Sequence, residues 1–483
     1  MKRPTLSASR PALSGPAAFV AAGAAVLSVV VLSGAPSAPS VTRVGGKAFN
    51  ASVMDLVTQG YVEEEYFIQG TARTYDIPRD QMSNGTPADA THPFKTRIVV
   101  RRPTSAARFN GTVVVEWTNV SEGFDNEVEW FHSGEHLVRA GYAWVGVSAQ
   151  NVGVSTLKQR NADRYSSLDV TDGGTVMGDA LSYDIFSAAG AAVRGKGGVN
   201  VMGMLKAERL IASGHSQSAG RLATYFNAVH PLAPVYDAVL LHGGGGKMRT
   251  DLTVKIWKLL SETDVLGQVA TRQPDTDKFR TWEVAGTSHL DIKHAAELVK
   301  LGLRSRETML PNPPPAPPAG TAGRRGGGPF GGAPGPYNGC NHPPLSRIPS
   351  EYVQNALYDH MARWVKDGTP PPSAPRITVA VDGERPYIVR DAFGNALGGI
   401  RLAEHDVATA INSGENTGGG FCFLTGWHDD FDKAKLTALY SSHAAYVSAV
   451  KATTDKNLKA GYIVKADADR TIAAAEKSDI GKS

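Results

Sequence analysis

A short apolar run that stops at a serine between small residues constrains the fold of this chain more than any other feature. Segment 209–220 reads RLIASGHSQSAG, and a stretch able to form a helix follows over 221–229. Strand, tight turn and helix is the order that a nucleophile elbow requires, because its strained backbone lifts a serine hydroxyl above a sheet. Gly214 and Ser218 are small enough for such a turn. The pattern predicts a nucleophilic Ser216 with a free N–H at Gln217, although an ordinary serine- and glycine-rich loop would give the same string.

An acid and a histidine follow this serine at the ends of two later predicted strands. The run 254–260 leads to Asp264, and the run 279–285 leads to His289. Ser, Asp, His is the chain order of α/β-hydrolase triads. In such a triad the histidine accepts the serine proton, and the carboxylate fixes the histidine tautomer. We therefore predict that Ser216, Asp264 and His289 form a catalytic triad.

Other residues compete for two of these roles. Glu262 and Asp275 are alternative acids, and His294 is an alternative base. Asp275 follows Gln-Pro in a loop between strands, and His294 lies in a predicted helix over 291–301, which is a poor position for a mobile catalytic imidazole. Asp264 and His289 remain the preferred pair.

The second oxyanion donor is expected from the loop after the third strand of the core. That strand is predicted at 111–117, so the donor is Asn119 or Val120, and it would act beside the N–H of Gln217. The string HGGGG that begins at His242 resembles the oxyanion loop of some lipases, which lies ahead of the nucleophile. Here the string follows Ser216. We interpret it as a strand end with glycines where backbone passes close to the site.

Longer strings agree with these assignments: VEWTNVS (115–121), GYAWVGVSAQ (141–150), SYDIFS (182–187), GHSQS (214–218), RQPDTD (272–277) and DGTPPP (367–372). From about residue 45 to the C-terminus the chain resembles a bacterial family that is usually labelled only "alpha/beta hydrolase domain-containing protein". The resemblance implies an α/β-hydrolase fold and hydrolysis of carboxylic esters by the serine triad. It implies no natural substrate. Ala219 and Gly220 depart from the bulkier residues common in the family, which bears on substrate shape.

The predicted fold is α/β, with a mostly parallel sheet, helices on both faces and a C-terminal extension. The core with the catalytic residues spans 45–310, a Pro/Gly-rich mobile insert spans 311–344, and C-terminal helices that pack on the core span 345–483. We predict opening antiparallel strands at 65–75 and 94–101 and further core strands at 142–148 and 236–241. Helices are predicted at 126–139, 179–193, 351–366 and 431–451. Segment 152–178 is polar and shows no hydrophobic period.

Residues 1–38 have the composition of a signal peptide. They contain Lys2, Arg3 and Arg10 and no acidic residue, followed by an apolar stretch over 17–32 and small residues. We expect a bacterial protein that is secreted or held in the cell envelope. Contact with a membrane is expected only if the segment remains as an uncleaved anchor. Without residues 1–38 the formal net charge falls from +4 to 4 − 3 = +1. Because the remaining chain is nearly neutral, we predict no nucleic-acid partner.

The chain has two cysteines, Cys340 and Cys422. In an oxidising compartment they suggest one disulfide, and two separately buried thiols are the alternative. The sequence contains no C-x-x-C, H-E-x-x-H or acidic calcium loop, so we predict no metal and no cofactor.

The predicted function is that of an exported serine hydrolase that cleaves a small-molecule or polymer-borne ester through an acyl-enzyme. One alternative is a carbohydrate esterase of the glucuronoyl-esterase type, but those enzymes favour an arginine after the nucleophile, where this chain has Gln217. The other is a non-catalytic binding protein with the same fold, a class that usually loses the nucleophile or the base. The oligomeric state is not predicted.

Overall fold

The computed structural model describes residues 38–308 and 339–482, with the side chains of 303–308 left out. Almost all of the predicted signal peptide (1–37) and most of the predicted insert (311–338) therefore lie outside the described residues. Within the described ranges, no helix is both long enough and apolar enough to cross a membrane.

A nine-stranded sheet forms the centre of the fold, in the spatial order β1-β2-β5-β7-β6-β8-β9-β10-β11. The first four strands in this order pair antiparallel, and the strands from β7 to β11 pair parallel. The strands of the described residues are β1 Ser40–Val44, β2 Tyr61–Ala72, β3 Tyr75–Asp76, β4 Thr86–Pro87, β5 His92–Pro103, β6 Thr112–Trp117, β7 Ala143–Val147, β8 Arg209–His215, β9 Ala238–His242, β10 Lys255–Ser261, β11 Phe279–Val284, β12 Val379–Asp382, β13 Arg385–Ile388, β14 Ala410–Ser413 and β15 Trp427–Asp430. This architecture confirms the predicted fold class.

Helices cover both faces of this sheet. They are α1 Val128–Arg139, α2 Asn151–Arg160, α3 Ala162–Tyr165, α4 Ser182–Val193, α5 Gln217–Thr224, α6 Glu262–Gln268, α7 Ile292–Thr308, α8 Ser350–Asp367, α9 Ala403–Asp406, α10 Cys422–Thr425, α11 Lys433–Leu439, α12 His443–Ala460 and α13 Lys465–Lys477. A π-helix over Tyr225–Val229 continues α5.

The central strands are buried on both faces, which is why they read as continuous apolar runs. On β6, Val113 and Val115 pack into one apolar cluster with Phe186 of α4, while Val114 packs into the other with Leu357 of α8. Successive side chains of a strand point to opposite faces. Helix α8, from the predicted C-terminal region, therefore covers part of the face of the sheet to which Val114 points. Its Met361 is also fully buried.

Two segments differ from the predicted elements. The polar segment 152–178 contains the helix α2, which buries little more than Val154 and Leu157, too few residues to reveal a period in the sequence. The predicted helix 431–451 is two helices, α11 and α12. Each has its own N-cap, because Asp432 accepts a hydrogen bond from the N–H of Lys435 and Ser442 accepts one from the N–H of Ala445.

The end of the predicted mobile insert is tied to the C-terminal region. A disulfide joins Cys340 to Cys422, and isolated β-bridges pair Cys340 with Gly418 and Pro344 with Trp427. The ring of His342 also stacks on that of Trp427, with 4.5 Å between centroids. Residues 339–344 thus belong to the folded C-terminal region, because a covalent bond and a ring contact hold them, and they correct the predicted boundary at 344.

Replacing both cysteines with serine should lower the free energy of unfolding by about 4 kcal/mol on the chain-entropy account. The bridge spans 82 residues of sequence, so its loss frees a long loop in the unfolded chain. Urea unfolding of both proteins, with and without reductant, measures the difference. Reductant should destabilise only the wild type, and equal unfolding midpoints for the oxidised wild type and the double variant would contradict the prediction.

Candidate active site

Ser216 lies between the end of β8 and the start of α5, at the C-terminal edge of the parallel strands. Its backbone has φ +60° and ψ −117°, in the left-handed half of conformational space that residues other than glycine seldom adopt. The Ser216 N–H donates to the carbonyl of His242 on the neighbouring strand, at 2.8 Å. A Cβ added at Gly214 would lie 3.0 Å from the Cβ of Ser218, so the turn does require small residues on both sides. The arrangement has the geometry of a nucleophile elbow.

His289 and Asp264 come together at the same edge of the sheet. His289 is in the loop between β11 and α7, and Asp264 is in the first turn of α6, directly after β10. The Nδ1 atom of His289 lies 2.6 Å from Oδ1 of Asp264, and both side chains are buried. The other oxygen of Asp264 accepts hydrogen bonds from the N–H and hydroxyl of Ser261, at 2.8 and 2.6 Å. The Asp264 carboxylate thus holds three groups at the start of α6: the imidazole of His289 and the N–H and hydroxyl of Ser261.

The pKa of Asp264 reflects these contacts. Burial by itself raises the pKa of the carboxyl group, but the charge of His289 and the hydrogen bonds from His289 and Ser261 outweigh it, so the pKa lies below the usual value. A carboxylate that stays ionised in this position fixes the proton of His289 on Nδ1 and leaves Nε2 to face a reacting group.

No hydrogen bond joins the hydroxyl of Ser216 to the imidazole of His289 in the described residues. The ring of His215, next to Ser216 in sequence, has its centroid 4.3 Å from that of His289. In enzymes without bound substrate, catalytic hydrogen bonds are often long and tighten only in the complex.

The rival residues have other partners. Glu262 is fully buried and accepts from the N–H of Gly286 at 2.7 Å and from Arg390 at 2.8 Å. Asp275 pairs with Arg280 and Arg376, each at 2.9 Å, near the start of β11. His294 lies in α7, with Nε2 3.7 Å from Glu122. Of the residues considered for the acid, only Asp264 is hydrogen-bonded to His289 within the described chain.

The loop after β6 discriminates between the two candidate oxyanion donors. The N–H of Asn119 donates to the carbonyl of Asn126 at 3.0 Å, and its side-chain amide donates to the carbonyl of His215 at 2.9 Å. Asn119 therefore braces the elbow with groups that are already paired. The N–H of Val120 has no hydrogen-bond partner in the described residues, and neither has that of Gln217 at the first position of α5, where helix N–H groups lack partners within the helix.

The ring of His215, which packs against that of His289, was not predicted from the sequence. The string HGGGG, which begins at the last residue of β9, gave the available signal, and the interpretation of its glycines as a close backbone approach is confirmed at Gly243. A Cβ added there would lie 3.0 Å from Nε2 of His215 and 3.0 Å from Nδ1 and Cε1 of His289.

Replacing Gly243 with alanine should therefore lower turnover by about tenfold to a hundredfold, because a displaced histidine misaligns the proton transfer. Gly246 gives a matched control. Both glycines have positive φ, +68° and +53°, but a Cβ at Gly246 would meet no atom within 4 Å. Steady-state kinetics of the two alanine variants, with thermal unfolding of each, separates the ring collision from backbone strain. Equal losses of turnover in both variants would attribute the effect to strain.

Among the pockets lined by described residues, one includes His289 and another includes Gln217, the residue after Ser216. A cavity of about 10 Å³ lies behind His289, among His132, His242 and Ser288, and it can hold little more than one water molecule. An open groove of about 510 Å³ runs along the face of α5 that contains Gln217 and Gly220. Of these two spaces, the groove is large enough for part of a substrate. The described residues contain no group of three or more His, Cys, Asp or Glu side chains that could hold a metal ion.

Comparison with solved structures finds matches at low identity. A serine hydrolase without a lid from Xanthomonas campestris is 15% identical, with 50% of this chain and 97% of that chain covered and a TM-score of 0.28. A putative acetyl xylan esterase from Bacteroides fragilis is 10% identical, with 52% of this chain and 71% of that chain covered and a TM-score of 0.29. A putative dienelactone hydrolase from Klebsiella pneumoniae is 15% identical, with 41% of this chain and 73% of that chain covered and a TM-score of 0.22. Similarities this low transfer neither a substrate nor an activity.

No curated protein matches the chain. The family described as alpha/beta hydrolase domain, in contrast, matches residues 33–473, which is most of the sequence and includes the elbow, the Asp264 turn and the His289 loop. The chain therefore belongs to the alpha/beta hydrolase domain family.

Proposed function

We propose that this chain hydrolyses carboxylic esters through a covalent acyl-enzyme. The observation that carries the proposal is the 2.6 Å contact between His289 and Asp264 at the same edge of the sheet as a serine with strained backbone. A serine hydroxyl becomes a useful nucleophile only when a base accepts its proton, and this base has a buried carboxylate to stabilise its charged form.

In the proposed reaction, the Ser216 oxygen attacks the ester carbonyl while Nε2 of His289 takes the hydroxyl proton. The N–H groups of Gln217 and Val120 stabilise the oxyanion, and the imidazolium then returns the proton to the departing alcohol. Water, deprotonated by His289, attacks the acyl-enzyme and releases the carboxylic acid and Ser216. No step requires a cofactor.

A fluorophosphonate probe tests the proposed nucleophile directly. The probe should form one covalent adduct on Ser216, seen by intact mass and peptide mapping, since it reacts with serines activated by a neighbouring base. The Ser216→Ala variant is the control and should stay unlabelled. A folded wild-type protein that neither reacts with the probe nor hydrolyses any ester would be a binding protein with a hydrolase fold.

The groove along α5 supports a polar substrate. Five of its nine lining residues are polar or charged, Arg79, Gln81, Gln217, Arg221 and Thr224, and the others are Ile77, Pro78, Tyr183 and Gly220. Arg221 is held by Asp179 at 3.2 Å, and the hydroxyl of Thr224 donates to Gln81 at 2.8 Å, which ties the segment around residue 81 to α5. The lining includes no carboxylate. Sites that take fatty chains are instead lined mostly by apolar side chains.

We therefore expect esters with a polar or acidic group to be better substrates than long-chain esters. Two series of esters, one varied in the acyl part and one in the alcohol, should show kcat/KM higher by about tenfold for the polar member of at least one series, the size of one hydrogen bond to a charged group. Each series pairs that member with a dodecyl or dodecanoyl counterpart. A preference for the long chain in both series would contradict the polar groove and leave ester hydrolysis standing.

We further propose that the protein is exported. Two observations support this proposal: the composition of residues 1–38 and the disulfide between Cys340 and Cys422, since structural disulfides form in oxidising compartments. Fractionation of a bacterial culture that expresses the full chain, with N-terminal sequencing of the product, tests it.

A further inference from the structure

Buried imidazole rings form a row behind His289 that the proposed reaction does not use. The ring of His215 lies 4.3 Å from that of His289, the ring of His242 lies 4.6 Å from that of His215, and the ring of His132 lies 5.6 Å from that of His242, all between centroids. Their exposed fractions are 3, 7 and 4%. Burying a titratable group costs free energy unless it is neutral or paired, so the state of each ring decides what the row does.

The two rings farther from His289 have carboxylate partners of their own. His242 contacts Glu129 at 3.1 Å through Nδ1, and His132 contacts Asp291 at 3.2 Å through Nε2. Burial lowers the pKa of His132, but the charge and hydrogen bond of Asp291 outweigh it and raise this pKa to about 9. His132 and Asp291 therefore form an ion pair with little net charge, so the pair has little electrostatic effect on His289.

His215 differs from both, because its ring has no hydrogen bond within the described residues. Burial lowers its pKa well below the usual value, and the charges of His289, His242, His294 and His132 lower it further. The His215 ring is therefore neutral at the near-neutral pH at which the enzyme would act. It meets the ring of His289 at an interplanar angle of 36°.

His289 is thus held by three kinds of contact. Asp264 binds its Nδ1 edge, the backbone of Gly243 packs closely against the ring, and the ring of His215 lies against it. When His289 takes the proton of Ser216 it becomes positive, and a neutral aromatic ring beside it accommodates that charge where a second cation would oppose it.

From this geometry we propose that His215 is a positioning residue for the base, and that it acts by the packing of a neutral ring and not by exchanging protons. The inference rests on the proposed function, because it requires His289 to be the base. His215 is fixed in place by its own backbone, since it is the last residue of β8, its carbonyl accepts from Asn119 at 2.9 Å, and it pairs in register with His242.

Two substitutions separate packing from proton exchange. His215→Leu fills the space without a flat ring, and His215→Phe restores the flat ring without a titratable nitrogen. With a small soluble ester, the leucine variant should lose about tenfold to a hundredfold in kcat with KM changed by no more than about twofold, as expected when a base is misplaced with binding intact. The phenylalanine variant should recover kcat to within about threefold of wild type, with the acidic limb of its pH profile unchanged.

A buried histidine elsewhere gives the control. His230 is also 3% exposed, and its ring packs on that of Phe226 at 4.6 Å, but it accepts hydrogen bonds from the backbone of Val235 and Tyr236. His230→Leu should lower the unfolding temperature without the same loss of kcat.

Two results would overturn the proposal: a leucine variant with wild-type kcat, or a phenylalanine variant as impaired as the leucine one, which would make His215 a proton-exchanging group. If the wild-type protein itself hydrolyses no ester, the proposed function fails and the role of His215 fails with it, whereas either of the two results above, in an active wild type, contradicts the role of His215 alone.

Discussion

Replacing Ser216 with alanine should lower ester turnover by about 10⁶-fold while the protein keeps its fold, as loss of the nucleophile does in a well-studied serine hydrolase. The side chain of Ser216 is partly exposed, and its removal breaks no hydrogen bond given by the described residues. Thermal unfolding should therefore match that of the wild type, and kcat measured by product release on a soluble ester gives the loss.

Ser218→Ala is the matched control, because Ser218 is the other serine of the elbow. Its hydroxyl is fully buried and donates to the carbonyl of Thr118 at 3.2 Å, so it is not available to attack a substrate. Alanine at 218 keeps the small side chain that the turn needs. If Ser218→Ala abolished activity and Ser216→Ala did not, the elbow would be assigned two residues out of register.

Replacing Asp264 with asparagine should lower turnover by about 10⁴-fold. An amide in place of the carboxylate can donate to Nδ1 of His289, which favours the tautomer whose Nε2 carries the proton and cannot accept one from Ser216. Because the fold lowers the pKa of Asp264, the carboxylate stays ionised through the range near pH 6.5 where a histidine titrates. Loss of wild-type activity on acidification near pH 6.5 should therefore not come from protonation of Asp264, and kcat/KM against pH measures it.

Glu262→Gln and Asp275→Asn are the controls for this prediction. Each removes a charge that pairs with arginine, Arg390 for Glu262 and Arg280 and Arg376 for Asp275, so each should lower the unfolding temperature more than it lowers kcat of the folded protein. Wild-type kcat in Asp264→Asn together with a large loss in either control would assign the acid to that residue.

Features that depend on short stretches of chain could be predicted from the sequence. The elbow needs only an apolar run, small residues around a serine and a helix-forming stretch, and strand β8, Ser216 and helix α5 follow in that order. The alternation of strands and helices likewise indicated the parallel sheet, because each buried strand reads as an apolar run of its own. Helix α2 was not predicted, because it buries few apolar residues and its sequence therefore shows no helical period.

Choices among chemically similar residues were decided by tertiary structure. Glu262 and Asp264 are two positions apart, and the structure turns one toward Arg390, 128 residues away, and the other toward His289. The N–H of Asn119 is taken by Asn126 while that of Val120 is not, and the ring of His215 reaches His289 only because β8, β9 and β11 end at one edge of the sheet. The sequence by itself determined which residue types stand at the ends of the strands. Only the packing of distant segments determined which of them share a hydrogen bond, because each such partner is set by contacts that no local pattern encodes.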